Sequence, residues 1–521
     1  MNIPPTTFRI LTIGPLKEQY NSSSPLWIDS KELLDAPSRL QVSASIPVSG
    51  GIHPKQYLEL RFDKVQDFRP DRIIRSNPYL RNILDARNYV REARKKGLSD
   101  SDVAPKLESW AGLPSLNFPR PKERQKGRDY SSSPVDEILK MVAVSPQEET
   151  RASRGLKGVE AQLNSFLSKA LSEIFSDQNF KAMEAGWQGL SMLAKEGSRA
   201  DVQIGILPLT RDSLDDAIDE LLGDLVLDLP SLILVDLPFD SSPRSMKSLE
   251  RLGNLAETLM VPVLVWITQG FFHLDDWDQL ETLGFLPHYL EQPPYGKWNE
   301  LKKKTSAQWL TITCNRFLAR FPYGSSYPAR EVLFNEPLPP WISPVWALAT
   351  LACRSISETG WPTRLSGSSQ GVLEDLGLID MGGSRVTPTE FSLSRDRVDQ
   401  FLMAGIIPLC PIKNRDQAFF PSDRTLAGGR LPYQLVLTRM VQALIWCNEH
   451  LSRDLQGEEL AREIEKVIIG FWEKIGSGGI EQLQVSVSMA EREKRGLVSI
   501  SLKPSKGVLP SHEEIRFDME W

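Results

Sequence analysis

Few residues in this chain are spaced for chemistry. Gly367, Ser369 and Gly371 in GSSQG satisfy the GxSxG pattern, in which a serine on a sharp strand-to-helix turn exposes its hydroxyl as a nucleophile. No apolar strand pattern runs directly into it, and a Gly/Ser-rich turn accounts for the same residues, so a serine hydrolase using Ser369 stands only as an alternative of another class. Asp236 sits near the end of the apolar run SLILVDL, but no GxxxxGK[ST] loop occurs anywhere. It therefore reads as part of a buried central strand and not as a nucleotide-metal ligand. The five histidines, His53, His273, His288, His450 and His512, form no HExxH and no close pair, so no metal or cofactor is expected. Carboxylates gather in SLDDAIDE and HLDDWDQLE, where acids early in a helix favour its dipole and its solubility.

Cys314, Cys353, Cys410 and Cys447 lie far apart with no CxxC pair, which argues against a zinc ribbon or a disulfide-stapled secreted domain and for buried thiols in a reducing cytoplasm. Lys+Arg 61 against Asp+Glu 67 gives a net charge of -6, and that near-balance argues against a nucleic-acid polyelectrolyte partner. The basic cluster Arg120, Lys122, Arg124, Lys126 and Arg128 has no interleaved aromatics and reads as a solvated tether. The N-terminal residues lack a basic region followed by a long apolar one, and no apolar run is long enough to cross a bilayer. A cytoplasmic protein without membrane insertion is expected.

These residues must be positioned by a chain of 521 residues that is 41% hydrophobic and 25% charged, ordinary for folded protein and long enough for about three domains. A short apolar run from Phe8 to Leu16 opens what reads as a small α/β unit, followed by strands at QVSASIPV and YLELRF. After DFRPD, apolar residues from Ile73 to Val90 recur at helical spacing among arginines, with Pro78 at a helix start. Residues 113–133 turn to proline, base and serine and read as a linker. SPVDEILKMVAV then places Val135, Ile138, Leu139 and Val142 on one helical face. Beyond two longer helical patterns, DVQIGILPL, SLILVDL and VPVLVWI alternate with helices, the pattern of a helix-covered parallel sheet. The chain closes on the strands QVSVSMA, LVSISLK and IRFDMEW. Trp187, Trp298, Trp309, Trp346, Trp361 and Trp446 fit core anchors and interface anchors equally well.

Several segments together resemble the contractile sheath of the bacterial type VI secretion system. YLELRF, DFRPD and LRNILDARNYV resemble the small (TssB/VipA-like) sheath subunit. NFKAMEAGWQGLSML from Asn179, NRFLARFPYG at 315–324, WALATLACRSISETGW from Trp346 and TPTEFSLSRDRVDQFLMAGIIPLCPIKNRDQAFF from Thr387 resemble the large (TssC/VipB-like) one. The order is that of a head-to-tail fusion. This implies a small-subunit-like domain at 1–112, a linker at 113–133, a helical segment at 134–178 and a large-subunit-like domain at 179–521. It also implies a mixed α/β contractile-sheath fold whose helix-covered sheets leave C-terminal strands available for pairing between protomers, through Ile515, Phe517, Met519 and Trp521.

The functional implications are structural and non-enzymatic. A sheath protomer assembles with itself into a helical tube around an inner-tube protein, is held by baseplate proteins, and contracts to propel the inner tube. The face formed by Val135, Ile138, Leu139 and Val142 resembles the helix that an AAA+ recycling unfoldase of the ClpV type captures, by periodic apolar anchors entering a groove. A sheath-like baseplate or cap adaptor that does not polymerise is the alternative within the same class.

Overall fold

The structure is a computed structural model that describes residues 3–18, 24–114, 116, 146–380, 386–452, 454–489 and 496–521. In chain order, β1 (Phe8–Gly14), β2 (Leu26–Asp29), β3 (Val42–Pro47) and β4 (Tyr57–Phe62) precede α1 (Pro70–Ser76), α2 (Pro78–Lys95) and α3 (Asp100–Glu108). Two long helices follow, α4 (Pro146–Ile174) and α5 (Gln178–Gly197). The alternating part runs β5 (Val202–Pro208), α6 (Leu214–Leu227), β6 (Leu232–Phe239), α7 (Pro243–Leu259), β7 (Val263–Ile267), α8 (Gly296–Lys303) and β8 (Leu310–Cys314). After α9 (Pro344–Thr359), α10 (Arg395–Ala404) and β9 (Ile406–Pro408) come α11 (Leu431–His450), α12 (Gly457–Ile475), β10 (Ile480–Met489), β11 (Gly496–Pro504) and β12 (Ile515–Glu520).

The chain divides into two compact units. Unit 1 contains Met1–Leu40, Ala182–Phe321 and Pro339–Trp521; unit 2 contains Gln41–Lys181 and Pro322–Leu338. These units cut the chain differently from the sequence segments 1–112, 113–133, 134–178 and 179–521, because the first segment and the last each contribute to both. The opening strand is where expectation and structure part. The apolar run from Phe8 reads as the start of a small separate unit, yet β1 lies in the sheet of unit 1, between β5 and β6.

That sheet has seven strands in the order β9-β8-β7-β6-β1-β5-β2. Six are parallel, and β2 closes one edge antiparallel to β5. Helices cover a parallel sheet on both faces, so its strands read as nearly continuous apolar runs. All five residues of β7 and of β8 are buried, and β1 is buried at six of its seven positions. The crossover α7 has its ends defined locally: Pro243 opens the helix, Ser242 caps it by accepting from the Ser245 N–H, and Met260 ends it in the left-handed region at φ 54°. Its buried Met246, Leu249, Leu252, Ala256 and Leu259 follow helical spacing and form the face turned to the core.

The C-terminal strands form an antiparallel meander, β10-β11-β12. Alternation along β11 buries Val498, Ile500 and Leu502 against the core of unit 1. In unit 2, β3 and β4 form an antiparallel hairpin whose buried face alternates as Val42, Ala44, Ile46 against Leu58, Leu60, Phe62. The Asn77 side chain accepts from the N–H groups of Tyr79 and Leu80 and starts α2 at Pro78, as the sequence indicated. No described helix is long and apolar enough to cross a membrane.

Candidate functional site

The segments that carried the family resemblance meet around one buried carboxylate in unit 1. Between the register pairs Leu234–Leu264 and Pro238–Trp266, β6 spends more residues than β7, and such an irregularity re-aims a side chain. Asp236 lies within it, buried at the end of the apolar run. One carboxylate oxygen accepts from the Ser343 hydroxyl at 2.5 Å and the other from the Trp346 indole N–H at 2.7 Å. Burial pushes the Asp236 pKa up to about 6, against the opposing pull of those donors and of Arg316.

Glycines make this node possible. A Cβ on Gly14 would stand 3.0 Å from that of Asp236, and one on Gly189 of α5 only 2.4 Å from the Trp346 ring. Trp187, on the same helix, is fully buried and donates its indole N–H to the Leu16 carbonyl at 2.9 Å. Thus the AGWQG of α5, the opening tryptophan of α9 and the segment leaving β1 close on one another. At the far end of α9, Gly360 turns at φ 84° against the Ile475 carbonyl, and the Trp361 ring packs at a 41° tilt against Trp472 with centroids 4.2 Å apart. Both positions exclude a larger residue for want of space.

A second knot lies beyond the end of β8. Asn315, buried and at φ 75°, donates through its amide to the carbonyls of Phe391 (2.9 Å) and Leu409 (2.7 Å) and accepts from the Phe391 N–H. Arg316 holds Glu390 along one guanidinium edge, Nε and Nη2 each donating to one carboxylate oxygen, and Arg320 donates twice to one oxygen of Glu184 on α5, at 2.6 and 3.0 Å. NRFLARFPYG is thereby bound both to TPTEFSLSRDR and to NFKAMEAGW. Ion pairs this buried contribute mainly by geometry, since desolvation offsets much of the attraction, but removing one partner is costly.

In unit 2 the small-subunit-like motif holds residues 330–331. The Asp71 carboxylate of DFRPD accepts from the Arg330 and Glu331 N–H groups. Glu331 is paired with Arg75 and with Arg87, whose side chain is 1% exposed. The Arg75 guanidinium holds the Glu331 carboxyl below the usual carboxylate range. Lys181 pairs with the buried Glu336, beside an aromatic group of Phe175, Phe180, Tyr323 and Phe334.

Ser369 does not form an active site. Residues 367–371 make a turn exposed at 368–370, with Gly367 at φ 94°, followed by the two-residue strand Val372–Leu373 in place of a helix. A cleft of about 190 Å³ nearby is lined by Ser366, Gln370, Asp423 and Arg430 and not by Ser369. Among the described residues no histidine or carboxylate hydrogen-bonds Ser369, and no group of His, Cys, Asp or Glu is arranged to hold a metal. The nucleophile-elbow geometry fails on backbone grounds alone.

The remaining sequence candidates are dispersed. Val135, Ile138, Leu139 and Val142 lie outside the described residues, as does almost all of 113–133. Ile515 is fully buried, while Phe517, Met519 and Trp521 are partly buried against the core of unit 1. Among the described residues β12 pairs with β11 along one edge only. Trp187, Trp298, Trp309, Trp346 and Trp361 are core residues, whereas Trp446 is partly buried and stacks on His450. Sequence reading missed Asn315 and Asp236 as network centres; an Asn directly after a buried strand, suited to the left-handed region, was the available signal.

Residues 230–427 match the VipB family, described as EvpB/VC_A0108, tail sheath N-terminal domain. The type VI secretion system sheath protein TssC1 of Pseudomonas aeruginosa is 23% identical over 330 residues, covering 56% of this chain and 66% of that protein. The chain thus spans just under two thirds of the length of this curated relative. Among solved structures, it is similar to a sheath tail protein from Listeria innocua (TM-score 0.35, 11% identity, 60% of each chain). It is also similar to a chain of the anti-feeding prophage baseplate (TM-score 0.35, 10% identity, 63% of this chain and 75% of that one).

Proposed function

We propose that this chain, similar to the VipB/TssC sheath proteins of type VI secretion, is a structural subunit that polymerises around an inner tube and contracts to drive it outward. The observation that carries the reading is the network of unit 1. The sheath-like segments around Glu184, Asn315, Trp346 and Glu390 are joined by buried and partly buried hydrogen bonds into one core. A chain that keeps this core and builds no catalytic constellation at Ser369 suits a mechanical part. Contraction of such an array draws on two packings of the same protomer, each step small and the sum cooperative.

The finer features belong to the same proposal. Residues 1–112 and 179–521 derive from a small and a large sheath subunit joined head to tail through 113–133, which fixes one-to-one stoichiometry and raises effective concentration. Ile515, Phe517, Met519 and Trp521 mark the strand whose second edge receives a strand of a neighbouring protomer. Val135, Ile138, Leu139 and Val142 form the docking face for an AAA+ recycling unfoldase. Inner-tube and baseplate proteins are the other partners, and the setting is the cytoplasm.

The test is ultracentrifugal pelleting of the chain expressed with its inner-tube protein, compared with a variant lacking residues 517–521. Ile515 is retained because it is core. The intact chain should pellet, and the truncated one should remain in the supernatant with a native circular dichroism spectrum. An intact chain that never pellets would leave the non-polymerising adaptor as the better reading.

A further inference from the structure

The outward face of α6 is uncovered and its composition is unusual for a face exposed only to water. Asp212, Asp215 and Asp219 are spoken for by arginines of α7: Arg244 pairs with Asp212, and Arg251 with Asp215 and Asp219. One helical step around, Asp216, Glu220, Gly223, Asp224 and Leu227 form a stripe at i, i+4, i+7, i+8 and i+11, all exposed. Asp224 accepts from the Ser24 hydroxyl, and no basic side chain pairs with this stripe among the described residues. Leu227 is 89% exposed and Val226 56%. A Cβ on Gly223 would meet nothing within 4 Å, so glycine is not needed for packing within the protomer, although it weakens a helix relative to alanine. A small residue beside an exposed leucine is what a closely approaching second body requires.

Unit 2 carries a surface of opposite sign. Arg69, Arg72 and Arg75 recur every third residue on and before α1 and are exposed, and Arg330 is brought beside them by the Asp71 carboxylate. Asp71 and Glu331 are acids of this group, against the exposed Arg69, Arg72, Arg75 and Arg330, so the surface is net positive. It too is followed by an exposed apolar side chain, Leu333, at 61%.

We propose that the acidic, glycine-notched face of α6 docks the arginine cluster of a second copy of this chain, Asp216 and Glu220 facing Arg72 and Arg330, with Leu227 and Leu333 beside the charged contact. This rests on the sheath reading and deepens it by naming one contact between protomers. Two different patches meet, so the contact is heterologous and propagates as a ring or an open helix without closing as a dimer. Opposite charge sets the register and the rate of encounter, and the leucines supply apolar burial.

Charge reversal tests it. D216K/E220K and R72E/R330E should each raise the critical concentration for pelleting by roughly tenfold or more, with melting curves like the parent's. Mixed together, the two variants should pellet again, because the reversed α6 face of the first then fits the reversed cluster of the second, and the unreversed cluster of the first fits the unreversed face of the second. Gly223→Trp should block assembly, whereas Gly223→Ala should be tolerated. If a reversal unfolds the chain, Glu220→Gln with Arg72→Gln replaces it, and the salt dependence of pelleting should then weaken relative to the parent. Variants that assemble at the parental concentration, a folded mixture that stays dispersed, or an unchanged salt dependence would overturn the contact and leave the sheath reading intact. A parent chain that remains monomeric would overturn both.

Discussion

Asp236 shows how a single residue in this fold couples distant sequence. Its carboxylate joins β6 to the start of α9 across 110 residues, in a place where Gly14 and Gly189 leave no room for rearrangement. With its pKa raised to about 6 by burial, the folded state binds a proton that the unfolded chain has already released. Stability therefore falls as pH rises from about 4 to about 6 and is flat above. Asp236→Asn removes that dependence. In paired denaturant titrations the parent should lose on the order of 2–3 kcal/mol relative to the variant between pH 4 and pH 7. Parallel stability curves across that interval would refute the assignment. Ser369 supplies the opposite lesson: spacing alone matched a catalytic pattern, and the backbone around it made a turn.

At the scale of elements, periodicity was readable and pairing was not. YLELRF, LVSISLK and IRFDMEW are strands, and Pro78 opens a helix, because alternation and a capping Asn77 are local signals. The neighbours of β1 were not legible, since parallel partners are chosen by burial across the whole sheet. Its nearly unbroken apolar pattern was the clue to a central position. The clamp on residues 330–331 was equally hidden, because Arg87 reads as one of many helix arginines until Glu331 reaches it. Glu331→Ala leaves the Arg87 guanidinium buried without its carboxylate and should cost about 3 kcal/mol. Hydrogen exchange should then accelerate in α2 and in residues 322–338; unchanged protection there would show that the ion pair carries little.

For the whole molecule, the order of the motifs was sufficient to propose a sheath protein, while the division of the chain into units was not. The first 40 residues belong to unit 1 although the next 141 do not. That arrangement makes a prediction about the join. With a protease site inserted after Lys126, cleavage should leave two fragments that co-elute under native conditions and separate only in denaturant, because β1 is hydrogen-bonded on both sides, to β5 and to β6. Fragments that part in native buffer would mean that the central strand contributes far less than its burial indicates. The most direct measurement on the central claim is negative-stain electron microscopy of the intact chain expressed with the proposed inner-tube partner. Sheath assembly predicts long hollow cylinders of uniform width; uniformly monomeric or small-ring particles at every concentration would contradict it.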